Sequence, residues 1–349
     1  MKRTTRAAAG LLLLAGLLTG CAGTSPEAEP AGEPEPTTST PAEETVEEPT
    51  TIRIASLKGP TTMGLVGLMD DAAAGLGAQD YQVTMYGTPD EVVPQIVQGD
   101  VDVALIPANL ASVVYNRTLT DDGPQVQVAA INTLGMLEVL EAGDTIHSIA
   151  DLRGRTVYST GKGASPEHVL NHLLAANGLD PATDVTVEFK SEATEVAALL
   201  ASQPGAVGVL PQPYVTVLKT QAPTVRTALS LADEWVKVDD ASQMVTGVVV
   251  VRTEFAQEHP EAFADFLDEY EASTEFTNTR PAEAAVLIAE AGIVPAAPVA
   301  EKAIPFCNIT YIDGADLRST LAGYLQVLFD ADPASVGGAL PDDDFYYRR

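Results

Sequence analysis

Cysteine is almost absent: the 349-residue chain has two, Cys21 and Cys307, too few for a disulfide framework. Basic residues are scarce as well. Lys and Arg number 19 against 49 Asp and Glu, for a net charge of -30. Such a surface repels phosphate backbones, which excludes nucleic acid as a partner. It does not cling to anionic lipid either. Beyond the first twenty residues no apolar run is long enough to span a bilayer, and the valine run Val248 to Val251 is strand-sized. Catalytic signatures are missing too. No GxSxG elbow appears, Gly161-Lys162-Gly163 lacks the spacing of a P-loop, and no GxGxxG follows a strand. Of the four histidines, His168 and His172 stand four apart on one helix face, a conceivable metal pair. No HExxH and no third ligand accompany them, so they read as exposed or capping residues. The expectation is no catalytic residue, no metal and no cofactor.

What is present begins at the N-terminus. Lys2, Arg3 and Arg6 precede an apolar run from Ala7 to Leu18, then Leu18-Thr19-Gly20-Cys21. A basic start, a short apolar core and small residues are the anatomy of a secretory signal. The tetrad resembles the lipobox of bacterial lipoproteins. That resemblance implies that residues 1–20 are removed, that Cys21 is lipidated, and that Cys307 then has no partner. The implied location is the extracytoplasmic face of the cell membrane, held by lipid. Removal of the signal leaves 16 basic residues against 49 acidic ones, an acidity read as a solubility device. Residues 21–50 contain six prolines, eight glutamates and no basic residue, with Val46 as the one sizeable apolar side chain. Too little can be buried there to offset ordering entropy, so a disordered acidic tether is expected.

From Thr51 strand and helix patterns alternate. Strands are expected at Ile52–Ala55, Tyr81–Tyr86 and Val101–Ile106, with a helix over Met63–Leu76. Another helix opens at Thr88-Pro89-Asp90-Glu91, a capping box with Pro at the first helical position. The pattern restarts at Val126–Ile131, then Arg155–Tyr158, a helix capped by Ser165-Pro166-Glu167, Val185–Phe189, a helix at Ala193–Ser202, and Val207–Leu210. A long strand near Met244–Val251 precedes a helical tail. The fold class is therefore α/β with two lobes, each a mostly parallel sheet flanked by helices, and two hinge crossings. Lobe one is expected at 51–132 plus 247–349, and lobe two at 133–246.

In open α/β sheets, loops at the carboxyl ends of strands line the ligand crevice. One such loop carries Leu57, Lys58, Gly59, Thr61, Thr62 and Met63; its counterpart carries Thr160, Lys162, Gly163 and Ser165. Asn109 and Gln212 each follow a buried strand beside a proline. Thr133, Leu134 and Thr246 lie at the crossings. These fifteen residues are the expected ligand-binding set. Glycines admit close backbone approach, hydroxyls and amides give directional hydrogen bonds, and amides at helix starts favour an anion. The plainer alternative for each loop is a glycine turn with a helix cap.

The strand-loop 52–64, Gly99-Asp100-Val101-Asp102, Asp151-Leu152-Arg153-Gly154, the loop 161–165 and Arg252-Thr253-Glu254-Phe255 resemble the substrate-binding lipoproteins of bacterial ABC importers. Within that group the chain is similar to the nitrate/sulfonate/taurine and THI5-like proteins. The resemblance implies a type II periplasmic-binding fold, a hinged monomer that captures a small polar or anionic solute, and delivery to a permease and ATPase. It leaves open whether the solute is a sulfonate, nitrate, carboxylate or heterocycle. The alternatives are a non-transport sensor, or an enzyme on the same fold with Glu138 or Glu167 as its base. The stretch 337–347 looks like a subgroup signature.

Overall fold

The computed structural model describes residues 48–349, so residues 1–20, Cys21 and the tether up to Glu47 lie outside the described residues. The order is β1 (Thr51–Leu57), α1 (Pro60–Met63), α2 (Val66–Ala73), β2 (Asp80–Tyr86), α3 (Pro89–Gln98), β3 (Val103–Pro107), α4 (Ala108–Thr118) and β4 (Val126–Leu134). Then come β5 (Leu137–Glu141), β6 (Thr156–Ser159), α5 (Ser165–Ala176), β7 (Thr186–Phe189), α6 (Ala193–Ser202), β8 (Val207–Pro211), α7 (Tyr214–Gln221), β9 (Arg226–Ser230) and α8 (Leu231–Val238). The chain closes with β10 (Val245–Arg252), α9 (Thr253–Glu258), α10 (Pro260–Thr279), α11 (Pro281–Glu290), α12 (Ala297–Ala303), β11 (Ile309–Ile312) and α13 (Gly314–Ala331).

Two sheets result, ordered β11-β4-β10-β3-β1-β2 and β7-β6-β8-β5-β9. Both are mixed rather than mostly parallel. β1 pairs in parallel with β2 and β3, whereas β10 is antiparallel to β3 and β4. The reason is connectivity: the chain leaves the first sheet along β4 and re-enters along β10, so these neighbours run opposite ways. β5 likewise leads away from the first sheet and is antiparallel to β8 and β9.

Helices cover both faces of the first sheet. Val103 and Leu105 pack with Phe263, Phe266 and Tyr270 of α10; Ala104 and Ile106 face the opposite core with Leu321 and Leu325 of α13. Period-two burial on both sides is the mark of a covered central strand. Sequence motifs serve this frame. Asp102 accepts from the Arg53 backbone N (3.0 Å), Nε (2.9 Å) and Nη2 (2.6 Å), tying β1 to β3. Gly99 closes α3 at φ 78°, where a Cβ would stand 2.5 Å from Arg252 Nη1. Thr88 and Glu91 form the expected capping box.

Local departures have local causes. The single helix expected over Met63–Leu76 is broken between α1 and α2, because α10 side chains take its polar groups. Ser273 Oγ donates to Gly64 O (2.7 Å) and accepts from Leu68 N (3.0 Å). Ser165 is not the cap of α5; Ala164 holds that position, and the Ser165 hydroxyl is turned to Asn109 instead. Trp235 is fully buried.

Candidate functional site

The strand ends of the two sheets face each other at the crossing. Pro107, at the end of β3, is paired with Gly247 of β10, which also pairs with Thr133 of β4. Pro211, at the end of β8, is paired with Leu137, three residues beyond β4. The ends of β3 and β8 therefore lie beside 133–137 and 247.

Asn109 bridges the two sets. Fully buried, it donates through Nδ2 to Gly163 O (3.2 Å) and Ser335 O (3.1 Å), and its Oδ1 accepts from Ser165 Oγ (3.3 Å). Gly163 N donates in turn to Glu167 (2.6 Å). Tyr324 of α13 has a buried hydroxyl with no close hydrogen-bond partner among the described residues; burial raises its pKa, and the neighbouring Ser165 hydroxyl opposes that. The Tyr324 ring lies tilted against Trp235 at 5.4 Å, and Trp235 meets His172, also tilted, at 4.9 Å. Burial holds His172 below its ordinary pKa of 6.5, with Asp239 opposing.

Around the crossing the buried polar side chains are Ser56, Thr61, Thr62, Asn132, Thr133 and Thr246. Thr61 and Thr62 both donate to Leu57 O (2.7 and 2.6 Å), which closes the β1–α1 turn. Thr133 donates to Asn132 Oδ1 (3.0 Å). Gly247 leaves the space this row needs, since a Cβ there would stand 2.5 Å from Asn132 Oδ1. Asn132 Nδ2 and Thr246 Oγ1 are buried with no partner among the described residues. Buried polar groups are nearly always satisfied, so such orphans call for a partner from outside the chain, water or ligand.

The remaining expected residues divide. Gln212 turns into its own sheet: Nε2 donates to Glu138 (3.0 Å), and Oε1 accepts from the Thr216 hydroxyl (2.8 Å). Glu138 also accepts from Thr227 (2.6 Å). Met63 is buried in a cluster with α11 and α12, 3.8 Å from Cys307 Sγ, and Leu134 packs on the main core. Cys307 is buried and its thiol pKa is pushed far up. Gly59 lies in the turn before α1, and half-buried Thr160 follows β6. Lys162 is exposed. Lys58 is exposed at a cavity of about 420 Å³, shared with Glu192, Tyr214, Val217 and Ile293. Sequence reasoning did not reach Tyr324 or Ser335, which come from distant segments, nor Glu192 and Ile293. Tyr214, directly after the Pro-Gln-Pro loop, was within reach. Among the described residues no group of three His, Cys, Asp or Glu is placed to hold a metal.

Residues 122–284 match a family model described as NMT1/THI5 like. No curated protein matches. Among solved structures the chain is similar to an ABC transporter protein from Parabacteroides distasonis, with TM-score 0.69, 20% identity, and coverage of 86% of this chain and 99% of that one. It is similar to the alkanesulfonate-binding protein SsuA from Xanthomonas axonopodis pv. citri bound to MOPS, with TM-score 0.65, 15% identity and coverage of 85% and 96%. It is also similar to the periplasmic nitrate-binding protein NrtA from Synechocystis PCC 6803, with TM-score 0.58, 14% identity and coverage of 77% and 75%. These likenesses show the fold of periplasmic ligand-binding components.

Proposed function

We propose that this chain is the solute-binding component of an ABC importer, which captures a small polar or anionic organic solute and delivers it to a permease. The observation that carries the reading is the Asn109 clasp, where the first turn of α4, directly after β3 of one sheet, is bonded to Gly163 in the loop after β6 of the other and to Ser165 at the start of α5. Two lobes closing over a crossing, with orphaned polar groups beside it, suit capture and release. The lobes are taken as 51–132 plus 247–349 and 133–246, in support of which the strands of one sheet fall at 51–134 and 245–312 and those of the other at 137–230. Catalysis has little support, since Glu138 and Glu167 are both engaged by neighbours. The protein acts as a monomer outside the cytoplasm. Lipid on Cys21 is the proposed anchor; no helix among the described residues is long and apolar enough to cross a membrane.

A thermal-shift screen against alkanesulfonates, nitrate, amino acids and pyrimidines tests this. A ligand at a hundred times its dissociation constant adds about 2.7 kcal/mol of stability. Small-angle scattering with the best compound should report a more compact molecule. If no compound class raises the melting temperature, the solute-binding reading fails.

A further inference from the structure

The 420 Å³ cavity lies between elements of both sheets. Lys58 comes from the turn after β1; Glu192 immediately precedes α6. They are the charged residues of its lining, and the other walls are mostly apolar, with Ala197, Val217 and Ile293, aromatic at Tyr214, and polar at Thr194 and Gln221. Neither Lys58 nor Glu192 forms an ion pair among the described residues. Glu192 accepts the Thr194 hydroxyl (3.1 Å), which leaves most of its acceptor capacity free. The Lys58 ammonium has three donors. One cation and one carboxylate, facing one space and not neutralising each other, present a pattern for a ligand to complement.

Resting on the solute-binding reading, we infer that the solute is a zwitterion. Its anionic group lies against Lys58, its cationic group against Glu192, and a short apolar stem crosses Ala197, Val217 and Ile293. Discrimination follows from the same geometry. A simple monoanion seats its stem beside a carboxylate that loses water and gains no partner. A simple amine does the same to Lys58. Tyr214 supplies an aromatic face with a polar tip next to Glu192, a surface suited to an ammonium group.

The test is calorimetry on the full-length chain with ω-amino acids from β-alanine to 6-aminohexanoate and with 3-aminopropanesulfonate. Each is paired with the matching monoanion lacking the amine and with the matching alkylamine. One stem length should bind at least tenfold more tightly than both of its singly charged partners, about 1.4 kcal/mol. Glu192→Gln should erase the preference over the monoanion. Lys58→Gln should erase the preference over the amine. Both side chains are exposed, and an unchanged melting temperature will confirm that the variants fold. Monoanions binding as tightly as zwitterions, or a preference surviving in Glu192→Gln, overturns the zwitterion while solute binding stands. Nitrate or a pyrimidine binding where every zwitterion fails does the same. No binding by any compound removes the solute-binding reading itself.

Discussion

Asn109 has both amide protons and its carbonyl oxygen engaged, with partners from residues 54, 56 and 226 positions away. Asn109→Ala strands two carbonyls and one hydroxyl, and should lower stability by about 1–3 kcal/mol. Asn109→Asp should cost more, because a carboxylate then faces the carbonyls of Gly163 and Ser335. Chemical denaturation of both variants decides this, and a wild-type midpoint for both would deny the clasp its role. The sequence made Asn109 a candidate through its place after a buried strand beside Pro107. Its partners were not legible, since Ser335 belongs to a segment without any strand-end signal. Gln212 has the same local setting and a different fate, because Glu138 and Thr216 lie within its own lobe and compete for it. Strand-end position selects a residue; tertiary neighbours decide which way its side chain turns.

At the level of elements, the long or well-capped pieces were readable. α3 has its capping box and α6 its stated limits. Three strands were not: β5, β9 and β11, of five, five and four residues. β5 and β9 are held by Glu141. Its carboxylate is fully buried and accepts from Thr145 N and Oγ1, Ile146 N and Arg226 Nη2 (2.9, 2.6, 3.0 and 2.7 Å). Burial alone would raise its pKa; the hydrogen bonds and the guanidinium outweigh that and hold it below the ordinary 4.5. A carboxyl with a depressed folded pKa contributes stability that is fully present above its unfolded value and lost as pH falls through the folded one. Glu141→Gln should therefore lower stability by about 1–3 kcal/mol at pH 7. In urea melts from pH 7 to 3 the gap to wild type should narrow below pH 4.5. A gap of constant size would mean that Glu141 acts through shape alone.

For the whole molecule, alternation of strands and helices conveyed two lobes and two crossings, while strand direction stayed hidden. Direction depends on which strands carry the chain out and back, and a hydrophobic pattern reads the same both ways. The anchor is also a question at this scale. The proposed lipid on Cys21 predicts that the wild type partitions with membranes, and that Cys21→Ala is released or left unprocessed. Membrane fractionation checks it; a mutant that sediments like the wild type counts against lipidation.

Leu134 at the end of β4 and Val245 at the start of β10 are partners in one ladder. Everything from 135 to 244 is thus spliced between two residues that already stand side by side, a span a two-residue hairpin turn could bridge. The second lobe is in effect a cassette. On the proposed solute-binding reading, an exchange of that one segment between relatives would replace the second lobe's share of the recognition surface while the first sheet kept its own strands, a route to new specificity by recombination at two adjacent seams.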